Sequence, residues 1–202
     1  CSGSDSEEDE SEYNSEEIEK DEDFSSSEKE SNAEILWSRI DKTAREEQKN
    51  EMYSRDKDST YLYWLNNQLL ITENSSKCNI FALNVLFKSG FKCPDENTRT
   101  YDLMDTNRYN DVFILIYSGS ADDYVNEEIE SGNVILKGDL IIWNGHVIIF
   151  ESLMNINNRL YALGWWAGTK QQNNGENIIN EVVHGKYPLT GEFIVRRPVL
   201  YK

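Results

Sequence analysis

Basic residues are in short supply: 20 Lys and Arg face 37 Asp and Glu, leaving a formal net charge of −17 over 202 residues. Nothing makes a basic stripe, so no nucleic-acid partner is expected. No apolar run reaches the roughly 18 residues that a membrane-spanning helix needs. Cysteine is limited to Cys1, Cys78 and Cys93, and no second Cys or His lies two to four residues from Cys78 or Cys93. That spacing fits no zinc site. Histidine is scarcer still, with only His146 and His184. Chemistry that needs an imidazole therefore has two candidates, and no metal or organic cofactor is called for.

What is present is divided unevenly. Residues 1–33 carry 14 acidic residues, 2 Lys and nine Ser, a net charge of −12, which leaves −5 for the rest of the chain. With Ile18 and Phe24 almost its only large apolar residues, this segment cannot bury enough surface to offset its ordering entropy. It reads as a disordered acidic tether. Residues 34–58 form a helical extension, with Ile35, Trp37, Ile40 and Ala44 as a sparse apolar stripe. Residues 59–202 make up the body.

Within the body, 59–71 reads as a second helix with Leu62, Trp64, Leu65, Leu69 and Leu70 apolar, followed by a loop over 72–76. The clearest element is a helix from about Ser76 to Ser89. Its Cys78, Ala82, Val85 and Leu86 share one face, Ser75 or Ser76 is placed to cap it, and Gly90 suits its end. Residues 94–110 read as a loop with one turn of helix, 112–117 as strand or buried helix, and 121–130 as a short helix. Four β-rich runs follow, at 140–143, 146–151, 159–164 and 192–196, separated by Asn/Gly turns. Helices first and an antiparallel sheet afterwards make an α+β domain.

Cys78 and His146 carry the chemistry. A thiol in the first turn of a helix meets unpaired N–H groups and the positive end of the macrodipole, which favour the thiolate. Lys77 adjoins it in sequence. His146 follows the tight-turn pair Asn144-Gly145 and opens the strand Val147-Ile148-Ile149-Phe150. A base there would accept the thiol proton. His184, between Val183 and Gly185, reads as a residue of a polar turn. Cys93 precedes Pro94 and reads as a small packing residue. A Cys78–Cys93 disulfide is disfavoured, because a 15-residue separation along a helix amounts to roughly 20 Å.

Lys77-Cys78-Asn79-Ile80-Phe81, Val85-Leu86, Gly90-Phe91, Gly138-Asp139-Leu140 and Gly145-His146-Val147 together resemble the NlpC-type cell-wall cysteine peptidases and the neighbouring CHAP amidases, over roughly residues 59–198. The resemblance implies a papain-like α+β fold with the nucleophile helix packed on a small antiparallel sheet, and hydrolysis of amide bonds in peptidoglycan peptides. It makes Cys78 the nucleophile, His146 the general base and Asp139 a turn residue. It also implies a third polar residue on the strand after His146, where Tyr161 is the nearest fit, and a tyrosine before the Cys, Tyr61 or Tyr63. Trp143, Trp165, Trp166 and Tyr63 are candidates to line the substrate groove. The weak third position leaves two other readings open: a catalytically weak or inactive wall-binding protein of the same fold, or a thiol hydrolase acting on a non-wall amide. Cys1, ahead of Ser-Gly-Ser and the acidic tether, resembles the lipid-bearing first residue of a mature bacterial lipoprotein. That implies a membrane-anchored protein facing the periplasm.

Overall fold

The computed structural model describes residues 15–124, 134–170 and 177–201. The chain divides into two units, Cys1–Ile35 and Leu36–Lys202, close to the composition change at residue 33. Cys1 and the rest of 1–14 lie outside the described residues. Residues 15–33, expected to carry no structure, are instead part of helix α1, Ser15–Glu47. The correction has a local cause: Glu is the commonest residue of the segment and favours helix even where no apolar face is available. Of the four-residue apolar stripe, Trp37, Ile40 and Ala44 are buried, while Ile35 is exposed.

The next segment departs furthest from expectation. Residues 59–71 are not a helix but a hairpin, β1 (Ser59–Leu62) and β2 (Gln68–Ile71), with a 3₁₀ turn at Tyr63–Leu65 between them. Asn66 and Asn67 at φ 53° and 56° close the turn, a left-handed conformation that Asn tolerates and a helix interior does not. Helix α2 then runs Cys78–Lys88 and stops at Gly90, whose φ is +93°. Short helix α3 (Thr100–Leu103) is the single turn expected in the loop, and 112–117 resolves as strand β3, Phe113–Ser120. Residues 121–124 are helical; the remainder of that expected helix lies outside the described residues.

Strands β4 (Leu140–Trp143), β5 (His146–Ile156), β6 (Arg159–Ala167), β7 (Ile178–Ile179), β8 (Val182–Pro188) and β9 (Glu192–Pro198) complete the fold. With β3 they form a seven-stranded antiparallel sheet in the order β3-β9-β4-β5-β6-β8-β7. The architecture is α+β. Residues 189–191 alone join β8 to β9, although β4, β5 and β6 separate those strands in the sheet. In a flat sheet the gap would be about 19 Å, beyond the roughly 14 Å such a link can reach. The sheet therefore curls, giving an inner face and an outer one.

The outer face packs against α2, with Leu140, Ile142, Val147, Ile149, Trp165, Ala167 and Val182 in one core with Phe81, Leu83 and Leu86. The inner face encloses a second core of Ile141, Ile148, Phe150, Trp166, Val183, Phe193 and Val195, with Tyr117 and Tyr124. Gly164 is needed where β5 and β6 touch, because a Cβ there would lie 2.2 Å from the Ile149 carbonyl oxygen. Helix α2 is buried nearly all round rather than on one face, since β5 and β6 cover one side and the turns at Glu51–Tyr53 and Tyr63–Leu65 another.

Buried polar groups fix the turns around α2. Asn84 accepts from the Tyr63 amide at 2.8 Å and donates to the Tyr61 carbonyl at 2.9 Å. Neither Ser75 nor Ser76 caps the helix: the N-cap is Lys77, and no side chain serves the cap. Nor does Lys77 face the thiol. Its ammonium is buried and donates to the carbonyls of Met52 (2.9 Å), Ser54 (2.8 Å) and Lys57. Lys77→Met keeps the stem but orphans those carbonyls, and should lower stability by about 3 kcal/mol in urea unfolding. A loss within 0.5 kcal/mol would contradict this anchoring role.

Candidate functional site

Cys78 heads α2, and its side chain is buried against the outer face of the sheet, 3% exposed. Burial pushes its thiol up from the ordinary value. The Ser76 hydroxyl and the backbone N–H groups of Val147, Asn79 and Cys78 itself act in the opposite direction. The sulfur thus lies by the start of β5, one residue from His146. Cys93 is also a free thiol, bonded to the Leu83 carbonyl at 3.5 Å and pushed up to about 12 by burial.

His146 lies on the other side of the sheet. Its position is set by pairing: β4 and β5 match Ile142 with Val147 and Trp143 with His146 across the Asn144-Gly145 turn. Ile142 and Val147 face α2, so the next pair along faces inward. There the imidazole stacks on Tyr187, ring centroids 4.4 Å apart, and meets Trp143 and Trp166 at 6.2 Å each. Its Nε2 is buried with no hydrogen-bond partner. Among the described residues no hydrogen bond joins Cys78 to His146. Desolvation alone draws the imidazole down to about 4, so it is neutral at pH 7.

Tyr187, which the sequence reading did not single out, stands closest to bridging the two. Its ring carries the stack on His146, while its hydroxyl is raised by burial and, second, by the charge of Cys78. A signal existed: Val182 to Tyr187 is β-rich, but Gly185 and Lys186 within it read as a turn. His184 was misplaced for the same reason. It sits in β8, its Nε2 2.8 Å from Glu151 Oε2, with its ring stacked 4.7 Å from Trp165.

Tyr161 does not reach His146. Its partner on β5 is Met154, eight residues beyond His146 and about 26 Å away along the strand. The four groove candidates are dispersed as well, because neighbouring strand residues point to opposite faces. Trp143 and Trp166 join the inner core, whereas Trp165 joins the outer one and donates to Asp41 at 3.0 Å. Tyr63 belongs to a separate network, where its hydroxyl and that of Tyr53 donate to Glu47 at 3.0 and 2.6 Å beside Lys88 at 2.9 Å. Asp139 takes two bonds from Arg197 at 3.0 Å each and one from the Leu136 amide at 2.8 Å, closing the turn before β4.

A polar groove of about 490 Å³ opens at the N-terminus of α2, lined among others by Thr72, Ser75, Ser76, Asn79, Asn97 and Arg99. Among the described residues, no group of three or more His, Cys, Asp and Glu side chains is placed to hold a metal ion. Comparison of the chain with protein-family models, curated proteins and solved structures finds no match.

The buried imidazole has a consequence for acid stability. Its folded pKa of about 4 lies below the unfolded value near 6.5, so the unfolded chain takes up the proton first. The stability held above pH 6.5 is lost as pH falls through this window, by roughly 3 kcal/mol below pH 4. His146→Leu should remove that share of the loss while leaving pH 7 stability equal or higher. Parallel acid profiles of wild type and variant would contradict it.

Proposed function

We propose that residues 59–202 are a papain-like module of the cell-wall cysteine-peptidase type that binds peptidoglycan peptides with little or no hydrolysis. The observation that carries this reading is the placement of His146. A neutral imidazole, stacked on Tyr187 in the inner core, is turned away from a thiol whose pKa burial raises. General-base catalysis needs the base within hydrogen-bond reach of the proton it takes. The papain-like assignment draws on α2, headed by Cys78 and packed on β5 and β6, with His146 opening β5. The groove before α2 suits a peptide: its amide and hydroxyl side chains match peptide bonds, and Arg99 matches a carboxylate.

One observation favours the hydrolase reading instead. The Val147 amide, next to His146 in sequence, bonds the Cys78 sulfur, and Tyr187, stacked on His146, is influenced by the charge of Cys78, so the thiol and the imidazole share two neighbours. Incubation with purified peptidoglycan separates the two. The binding reading expects wild type and Cys78→Ala to co-sediment with the polymer equally and to release no fragments detectable by mass. Fragments released by wild type and absent with Cys78→Ala would establish the hydrolase. Neither sedimentation nor cleavage would refute both.

A further inference from the structure

We propose a second binding site, for a neutral saccharide, in the cavity at the open end of the curled sheet. The cavity measures about 560 Å³ and lies between the β5–β6 turn, the β8–β9 link and the residues after β3. Its rim carries Asp122, Asn155, Asn158, Arg159 and Thr190. Among the described residues, none of these five side chains is engaged in a hydrogen bond or ion pair. Leu160, Tyr161 and Leu189 supply apolar surface within the same cavity.

The chemistry of the lining selects the ligand class. A sugar presents C–H surface on one side and hydroxyls around its edge, each able both to donate and to accept. Asn amides do both, Asp accepts, Arg donates and Thr does either, so the rim can match several hydroxyls at once. Apolar and aromatic surface with a few convergent polar groups is the general form of a small-molecule site. Charge argues against the alternatives. Among the described residues, Arg159 is the one cation on the rim and Asp122 the one anion, so a phosphate or polyanion would meet a single guanidinium and a repelling carboxylate.

The cavity is also held open by bonds that do not involve its rim side chains. The Leu189 amide donates to the Leu160 carbonyl at 2.9 Å, and the Ala121 amide to Gly191 at 2.9 Å. Trp143 Nε1 donates to the Thr190 carbonyl at 2.9 Å. Asn157 and Asn158, at φ 53° and 63°, close the β5–β6 turn and fix Arg159 beside it. Three separate elements are therefore tied together around the space, which limits the ordering entropy that a ligand must overcome.

This proposal stands on the cavity alone and does not depend on the peptide-binding reading. Its test is titration of the full chain with β-1,4-linked trimers of N-acetylglucosamine and of glucose, followed by amide chemical shifts. Expected is saturable binding of at least one trimer, with shifts concentrated at 121–122, 155–161 and 188–190. Asn155→Ala and Arg159→Ala, both exposed, should each weaken it about tenfold without moving Tm. No saturation by either trimer up to about 10 mM would overturn the proposal. Shifts confined to other segments, or affinity unchanged in both variants, would overturn it equally. Tighter binding of inorganic phosphate or of a dipeptide at the same residues would assign the cavity to a different ligand.

Discussion

The two-residue period of β5 is the constraint on which the site depends. Val147 and Ile149 face α2, and His146, Ile148 and Phe150 face the interior of the curled sheet. The turn at Asn144-Gly145 leaves no slack, since Trp143 and His146 pair directly across it. A slip of one residue would bring the imidazole toward Cys78 and, in the same move, swap every apolar side chain of the strand to the other face. Both faces are filled, so the register is held from both sides. The orientation of one imidazole is thus fixed by the packing of a whole strand.

Buried polar groups do for the irregular segments what pairing does for the sheet. Lys77 gathers three carbonyls of the 52–57 segment, and Glu47 collects Tyr53, Tyr63 and Lys88. Arg196, fully buried on β9, donates to the carbonyls of Leu103 and Asp105 at 2.9 and 2.6 Å. Each group is satisfied by backbone or by a partner of opposite charge, as a buried charge must be. Together they hold the loops that border α2. Reactive chemistry is not required of any of them, and Lys77 in particular is turned away from the neighbouring thiol.

The α+β class was legible because helix-period and strand-period segments fall in separate halves of the chain. Strand β4 was legible to the residue, since apolar runs between Asn/Gly turns leave little choice. The helix bearing Cys78 was legible for its composition and for Gly90. The hairpin at 59–71 was not. Leu62, Trp64, Leu65, Leu69 and Leu70 sit at helical spacing, and only the left-handed Asn66-Asn67 pair interrupts them. The direction of His146 was not legible either. Val147-Ile148-Ile149-Phe150 is apolar throughout, and alternation carries no information when both faces are buried. His184 and Tyr187 were hidden by Gly185, which reads as a turn yet lies mid-strand opposite Gly164.

Whether Cys78 and His146 act on each other is the question that decides between binding and hydrolysis. The most direct measurement is an NMR titration of the His146 imidazole in wild type and in Cys78→Ala. The stacked, unpartnered ring predicts titration at about 4 in both proteins, because the thiol is not its partner. A His146 that titrates at or above the ordinary value near 6.5, and shifts when Cys78 is removed, would contradict the account.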